Sequence, residues 1–305
     1  YFLLPGNLTD LISQSSVTGG AGAYLNPFMN GDRPYTFIEI FSQLAWGFGY
    51  CGMPHVLVRF MAVKNEKELK KSWAIAIVWD LLSLSAAFAI AVIGRAYLLP
   101  VILGENGAAS SESVFIEMIR KVFTSELALP FIGGLFLCGI LAAIMSTADS
   151  QLLVTASAVS EDLYHSFIKK DADTEEILKV SRITVIVIAV IAFAIAWNPD
   201  SSIMGLVSNA WAGLGSAFGP IVVMSLFWRR TNLPGAIAGM VTGGLTVIIW
   251  DYIPLVGGQT LGTYTGLYSL AVGFLLSLVM IVIVSLVTKV PSKEITDEFD
   301  RVAAK

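Results

Sequence analysis

The sequence predicts an all-α transmembrane protein of about seven spans, and three observations carry that prediction. Only 14% of the 305 residues are charged, where soluble domains average about 25%. Hydrophobic residues make up 55%, and mean hydropathy is +0.74. The apolar residues gather into stretches close to the ~20 residues that a bilayer core requires.

Taken in order, residues 1–35 read as an extracytoplasmic loop, rich in Gly, Asn, Ser and Pro. Spans follow at 36–62, 73–99, 129–159, 181–197, 202–228, 233–254 and 265–288, and 289–305 is a polar tail. An amphipathic stretch at 113–123 reads as a surface segment. Tyr1-Phe-Leu-Leu-Pro5 reads as the end of an earlier helix, so the expectation is part of a longer chain, and no signal peptide is visible. Loop charge sets the orientation. Fifteen of the 19 basic residues fall in the loops and tail on one side, from Arg59 to Lys71, Lys169 to Arg182, Arg229 with Arg230, and Lys289 onward. That side is cytoplasmic, as is the C-terminus, and the first span enters from outside. The expected location is the cell membrane, with the lipid bilayer as a partner.

Several function classes are excluded. Cys51 and Cys138 lie in separate apolar runs, so no disulfide framework is implied. His55 and His165 offer no metal-ligand spacing, and no phosphate loop, HExxH motif or basic nucleic-acid stripe is present. The chain is read as neither an enzyme nor a nucleic-acid binder.

The first span carries Ala45-Trp-Gly-Phe-Gly-Tyr-Cys-Gly-Met-Pro54. Three glycines weaken helix propagation, and Pro54 removes a donor and clashes with the preceding turn. A break here frees backbone carbonyls at membrane depth, the device of discontinuous transporter helices. Close packing through small residues is the rival reading. Trp46, Tyr50 and Pro54 are spaced by four and share a stripe if helical. In the second span Asp80 is ionisable at depth, either paired with a neighbouring helix or carrying a proton. The fifth span, Trp211 to Pro220, repeats the Gly/Pro character and reads as a gate or a kinked packing helix. The sixth, with Gly235, Gly239, Gly243 and Gly244, reads as a close-packed peripheral helix.

The third span contains Ala142-Ala-Ile-Met-Ser-Thr-Ala-Asp-Ser-Gln151. Ala143, Ser146, Thr147 and Ser150 fall at i, i+3, i+4 and i+7, on one face of a helix, with Asp149 on its flank. Side-chain oxygens are costly in hydrocarbon unless they hold something. Hydroxyls with a nearby carboxylate suit a small hard cation such as sodium, although Ser and Thr also tie membrane helices together.

Trp46-Gly-Phe-Gly-Tyr-Cys-Gly-Met-Pro-His-Val-Leu-Val-Arg-Phe-Met61 resembles the solute:sodium symporter family, in particular its sodium/proline symporters. Gly139-Ile-Leu-Ala-Ala-Ile-Met-Ser-Thr-Ala-Asp-Ser-Gln-Leu-Leu-Val154 with Ser160-Glu-Asp-Leu-Tyr164, and the run from Gly205 to Pro220, resemble it too. The resemblance implies a LeuT-like core of two inverted five-helix repeats. Residues 36–228 would then be the second repeat, and 233–288 two peripheral helices. An N-terminal half supplying the first repeat is implied as a partner. Also implied are sodium ligation by the hydroxyls of Ser146 and Thr147 with the carbonyl of Ala143, and a possible second ion site at Asp149 and Ser150. Trp46, Tyr50 and Pro54 would line the proline site. The function implied is sodium-coupled proline symport by alternating access, with another small solute, or a transporter-like sensor domain, as alternatives.

Overall fold

The computed structural model describes residues 7–14, 20–98, 112–197 and 202–303. Its helices are α1 (Leu8–Gln14), α2 (Gly20–Tyr24), α3 (Phe37–Leu44), α4 (Trp46–Gly49), α5 (Pro54–Met61), α6 (Glu66–Tyr97) and α7 (Val114–Ile119). After them come α8 (Pro130–Ser157), α9 (Thr174–Ala196), α10 (Ile203–Phe227), α11 (Leu233–Tyr252), α12 (Leu261–Thr265), α13 (Ser269–Val287) and α14 (Lys293–Ala303). Wider π-helical turns follow α7 at Arg120–Glu126 and carry α8 on through Ala158–Ile168.

Among the described residues, six helices are long and apolar enough to cross a membrane, namely α6, α8 with its π-helical continuation, α9, α10, α11 and α13. The first expected span, 36–62, is a string of short segments, with the interruption that its glycines and Pro54 predict. The chain stays helical from α3 through the 3₁₀ turn Tyr50–Gly52, then leaves the helical region at Met53 (φ −86°, ψ 112°) before Pro54 opens α5. The residue before a proline is driven toward extended backbone, which places the break at Met53. The segment before it is not all loop either, since α1 and α2 form there.

The chain divides into two compact units, Tyr1–Arg33 with Val63–Ile203, and Pro34–Ala62 with Met204–Lys305. In the first unit, Asn65 caps α6 by accepting from the Glu68 N–H, and acidic residues in the first turn favour the helix dipole. Ile12 of α1 buries against Val92 and Ala96 of α6. Gly94 lets Met118 of α7 lie close against α6, and Gly133 of α8 receives Phe123, whose ring stacks on Phe136 at 5.0 Å. The polar turn between α8 and α9 is closed by Glu176, which accepts from the Tyr164 hydroxyl at 2.7 Å and pairs with Lys169 at 2.6 Å. Asp80 is exposed and makes no hydrogen bond to another described residue, so the expected bond to a neighbouring helix is not made within this unit.

The second unit is built on close backbone approach. α10, read from sequence as a gate or a kinked packing helix, runs unbroken through Pro220. Proline has no N–H for the carbonyl four residues back, which belongs to Ser216. The backbone of Gly243 on α11 lies against that same carbonyl, and Gly273 of α13 packs on the Ser216 side chain. Any side chain at 243 would be driven into the Ser216 carbonyl. α11 and α13 pack along their length, with Gly235 and Gly239 against Ser285, Ile281 and Ser277. The buried hydroxyls of Ser277 and Ser285 have no partner among the described residues, and the contact uses their small size.

α14 is tied back to the α10–α11 turn. Arg229 donates to both carboxylate oxygens of Asp300 at 2.7 Å. The hydrogen bond from Arg229 holds the Asp300 carboxyl below the usual carboxylate range. A lowered carboxyl value means that the tether is present above the ordinary carboxylate value and is lost as pH falls through the lowered one. Proteolysis within 293–303 is therefore expected to quicken on acidification, and Arg229→Ala to produce the same rise at neutral pH. Both side chains are about half exposed, so solvent screening keeps the effect small.

Candidate functional site

α8 is apolar for most of its length, with one polar interruption. The Ser146 hydroxyl donates to the Ala143 carbonyl at 2.9 Å, and Thr147 donates to the same carbonyl at 3.4 Å. Ser150 donates to the Ser146 carbonyl at 2.9 Å. This back-bonding is the usual way for Ser and Thr to sit inside a helix. It spends the hydroxyl hydrogens and leaves the oxygen lone pairs free to accept. Ala143 O, Ser146 Oγ and Thr147 Oγ1 thus form a cluster of three oxygens within one turn, open to the outside of the first unit. A hard cation takes oxygen ligands, and calcium for comparison takes 6–8, so three form part of a shell. Asp149 is exposed and without a partner among the described residues. No group of three or more His, Cys, Asp or Glu suited to a metal occurs among the described residues.

In the second unit, the stripe of Trp46 and Tyr50 closes on Trp211 of α10. Trp46 lies 5.8 Å from Trp211 between ring centres, and Tyr50 meets it edge-on at 5.0 Å. The Trp211 indole donates to the Trp46 carbonyl at 3.1 Å, a bond to the helix just before its interruption. Gly49 clears room for the Trp211 ring, while Gly52 lies against the α10 backbone at Leu214, Gly215 and Gly219. Both readings of the glycines therefore hold together: the helix is interrupted and its small residues allow close packing. Pro54 lies beyond the interruption and is exposed. The Ala143 group belongs to one unit and the Trp46 group to the other.

Reasoning from sequence alone missed the partners from the last apolar segment. Tyr268, which caps α13, stacks on Trp46 at 5.8 Å and donates its hydroxyl to the Ser208 carbonyl at 2.7 Å. Ser42 of α3 donates to the Gly266 carbonyl and accepts from the Tyr268 N–H. The signal was an aromatic residue at the head of a membrane helix, a position that ordinarily reads as an interfacial anchor.

The family model for the sodium:solute symporter family matches residues 21–243. The chain belongs to the sodium:solute symporter family. It is 46% identical over 256 residues to the osmoregulated proline transporter OpuE of Bacillus subtilis (strain 168), covering 84% of this chain and 49% of the relative. It is 41% identical over 265 residues to the sodium/proline symporter of Escherichia coli (strain K12), covering 86% of this chain and 50% of that one. With the high-affinity proline transporter PutP of Bacillus subtilis (strain 168), identity is 38% over 292 residues, covering 93% and 58%. The chain spans about half the length of the curated relatives it matches. These relatives are transporters and not enzymes.

Proposed function

We propose that this chain forms the second half of a sodium-coupled L-proline symporter of the cell membrane, with its C-terminus cytoplasmic. In this reading residues 36–228 are the second five-helix repeat of a LeuT-like core, and α11 and α13 are peripheral to it. The observation that carries the reading is the oxygen cluster of Ala143, Ser146 and Thr147 in an otherwise apolar spanning helix. Sodium would sit on those oxygens, with its remaining ligands supplied by the N-terminal half. Asp149 and Ser150 would serve a second ion. Proline would bind where the helix is interrupted, against Trp46, Tyr50 and Pro54. The names of the relatives support sodium and proline as the transported pair. One charge crossing 100 mV releases about 2.3 kcal/mol, enough to concentrate a coupled solute about 50-fold.

The test is uptake of radiolabelled proline by the full-length protein in proteoliposomes, with and without a sodium gradient, competed by other amino acids. Uptake that ignores sodium would end the coupling claim. Stronger competition by another solute would move the substrate assignment. In the same assay, Tyr50→Ala is expected to raise the proline KM about 3- to 10-fold, the worth of one aromatic contact. The sodium requirement should stay nearly constant.

A further inference from the structure

The end of the second unit remote from the Arg229–Asp300 tether contains a cavity of about 390 Å³, of whose lining the reading above uses Trp46 alone. Small-molecule sites typically run from about 300 to 1,000 Å³. Gln43, Trp46, Ser208, Asp251, Tyr268 and Ser269 line it. Asp251, one residue before the end of α11, is the only charged group among the described residues that line it. Its Oδ2 accepts from the buried Ser269 hydroxyl at 2.6 Å. Gly262 leaves room beside Oδ1, where a Cβ would lie at 3.0 Å. Among the described residues, no Lys, Arg or His pairs with this carboxylate. The basic cluster of the unit lies at the other end of α11, about 30 Å away along 20 residues. That distance exceeds the Debye length of about 10 Å.

A half-buried carboxylate without a cation is costly, and the cavity wall indicates which cation would offset the cost. Of the other lining oxygens, the Ser42 hydroxyl donates to Gly266 and accepts from the Tyr268 N–H, and the Ser208 carbonyl accepts from the Tyr268 hydroxyl. A bare alkali ion wants many oxygen ligands, and beside the one carboxylate the wall offers it only neutral oxygens. An ammonium group needs one carboxylate and gains from an aromatic wall. Trp46 and Tyr268, whose rings stack on each other at 20°, both line the cavity and bring aromatic surface to it.

We propose that this cavity binds the ammonium group of a small organic amine, with Asp251 as the ionic partner and Trp46 and Tyr268 as the wall. Trp46 would then separate it from the interrupted-helix site, making the cavity a waiting position for the transported amino acid. That last role rests on the transport reading; the ammonium chemistry does not.

The test uses full-length protein in detergent micelles, with its native cysteines replaced by serine and Gln43→Cys as reporter. Rates of modification by a positively and a negatively charged methanethiosulfonate are compared, each normalised to a free thiol. The cationic reagent is expected to react about tenfold faster, the scale of local field focusing. The preference should vanish in Asp251→Asn and persist in Asp251→Glu. Dimethylammonium chloride should slow modification at least twofold, and sodium chloride at equal ionic strength should not. Met204→Cys, on the same cavity, serves if Gln43→Cys does not fold. Absence of a cationic preference, a preference that survives Asp251→Asn, or equal protection by sodium would overturn the proposal. A preference that behaves as expected in a protein that fails to take up proline would support this site and count against the transport reading.

Discussion

Thr147→Ala in the full-length protein is expected to raise the sodium concentration for half-maximal proline uptake about 10- to 100-fold, the range seen when metal-site support is removed. The substitution deletes one of three clustered oxygens and leaves the Ser146 hydroxyl on the Ala143 carbonyl at 2.9 Å. Alanine is the better helix former, so α8 loses nothing as a helix and membrane abundance should be unchanged. Thr147→Ser keeps the oxygen and should recover most of the response. A sodium response identical to that of the parent protein would remove the ion from this face of α8.

Gly52→Leu is expected to abolish uptake and to lower the amount of folded protein, and no rescue by higher sodium or proline should follow. A Cβ at position 52 would lie 2.6 Å from the Leu214 carbonyl oxygen, 2.8 Å from the Gly219 nitrogen and 2.9 Å from the Gly215 Cα. All three are backbone atoms of one helix, so no rotamer change relieves them. Ordinary overpacking costs about 1–3 kcal/mol, and a clash with fixed backbone exceeds it. Gly47→Ala is the matched control, because a Cβ there meets nothing within 4 Å. Thermal unfolding followed by fluorescence-detected size exclusion separates the two. Equal stability would mean that the α10 contact at Gly52 contributes little.

The spanning helices were readable from composition, because length and hydropathy report directly on bilayer thickness. Their polar ends were less so. α6 starts at Glu66 and α9 at Thr174, each several residues ahead of the apolar run, because Asn65 and Asp173 cap helices that project beyond it. The interruption near Pro54 was legible because proline acts on its own neighbours. The polar face of α8 was legible because the 3.6-residue period brings Ser146, Thr147 and Ser150 together without tertiary information. What could not be read was pairing between distant segments. Nothing in the string around Tyr268 specifies Trp46, and nothing around Gly243 specifies the carbonyl left bare by Pro220. The same glycines supported a break and a packing seam, and only the neighbouring backbone shows that both are present.

Asn232 gives the final pair of apolar helices a closed base. Its side chain accepts from the Gly235 N–H and donates to Thr288 Oγ1 and the Lys289 carbonyl at 2.8 and 2.7 Å, while Arg230 donates to the Thr288 carbonyl at 2.9 Å. The start of α11 is thereby knotted to the finish of α13, and loose polar ends at that junction are taken up locally. A hairpin sealed in this manner meets the polar demands of its own base from within, and asks no other segment for donors or acceptors there.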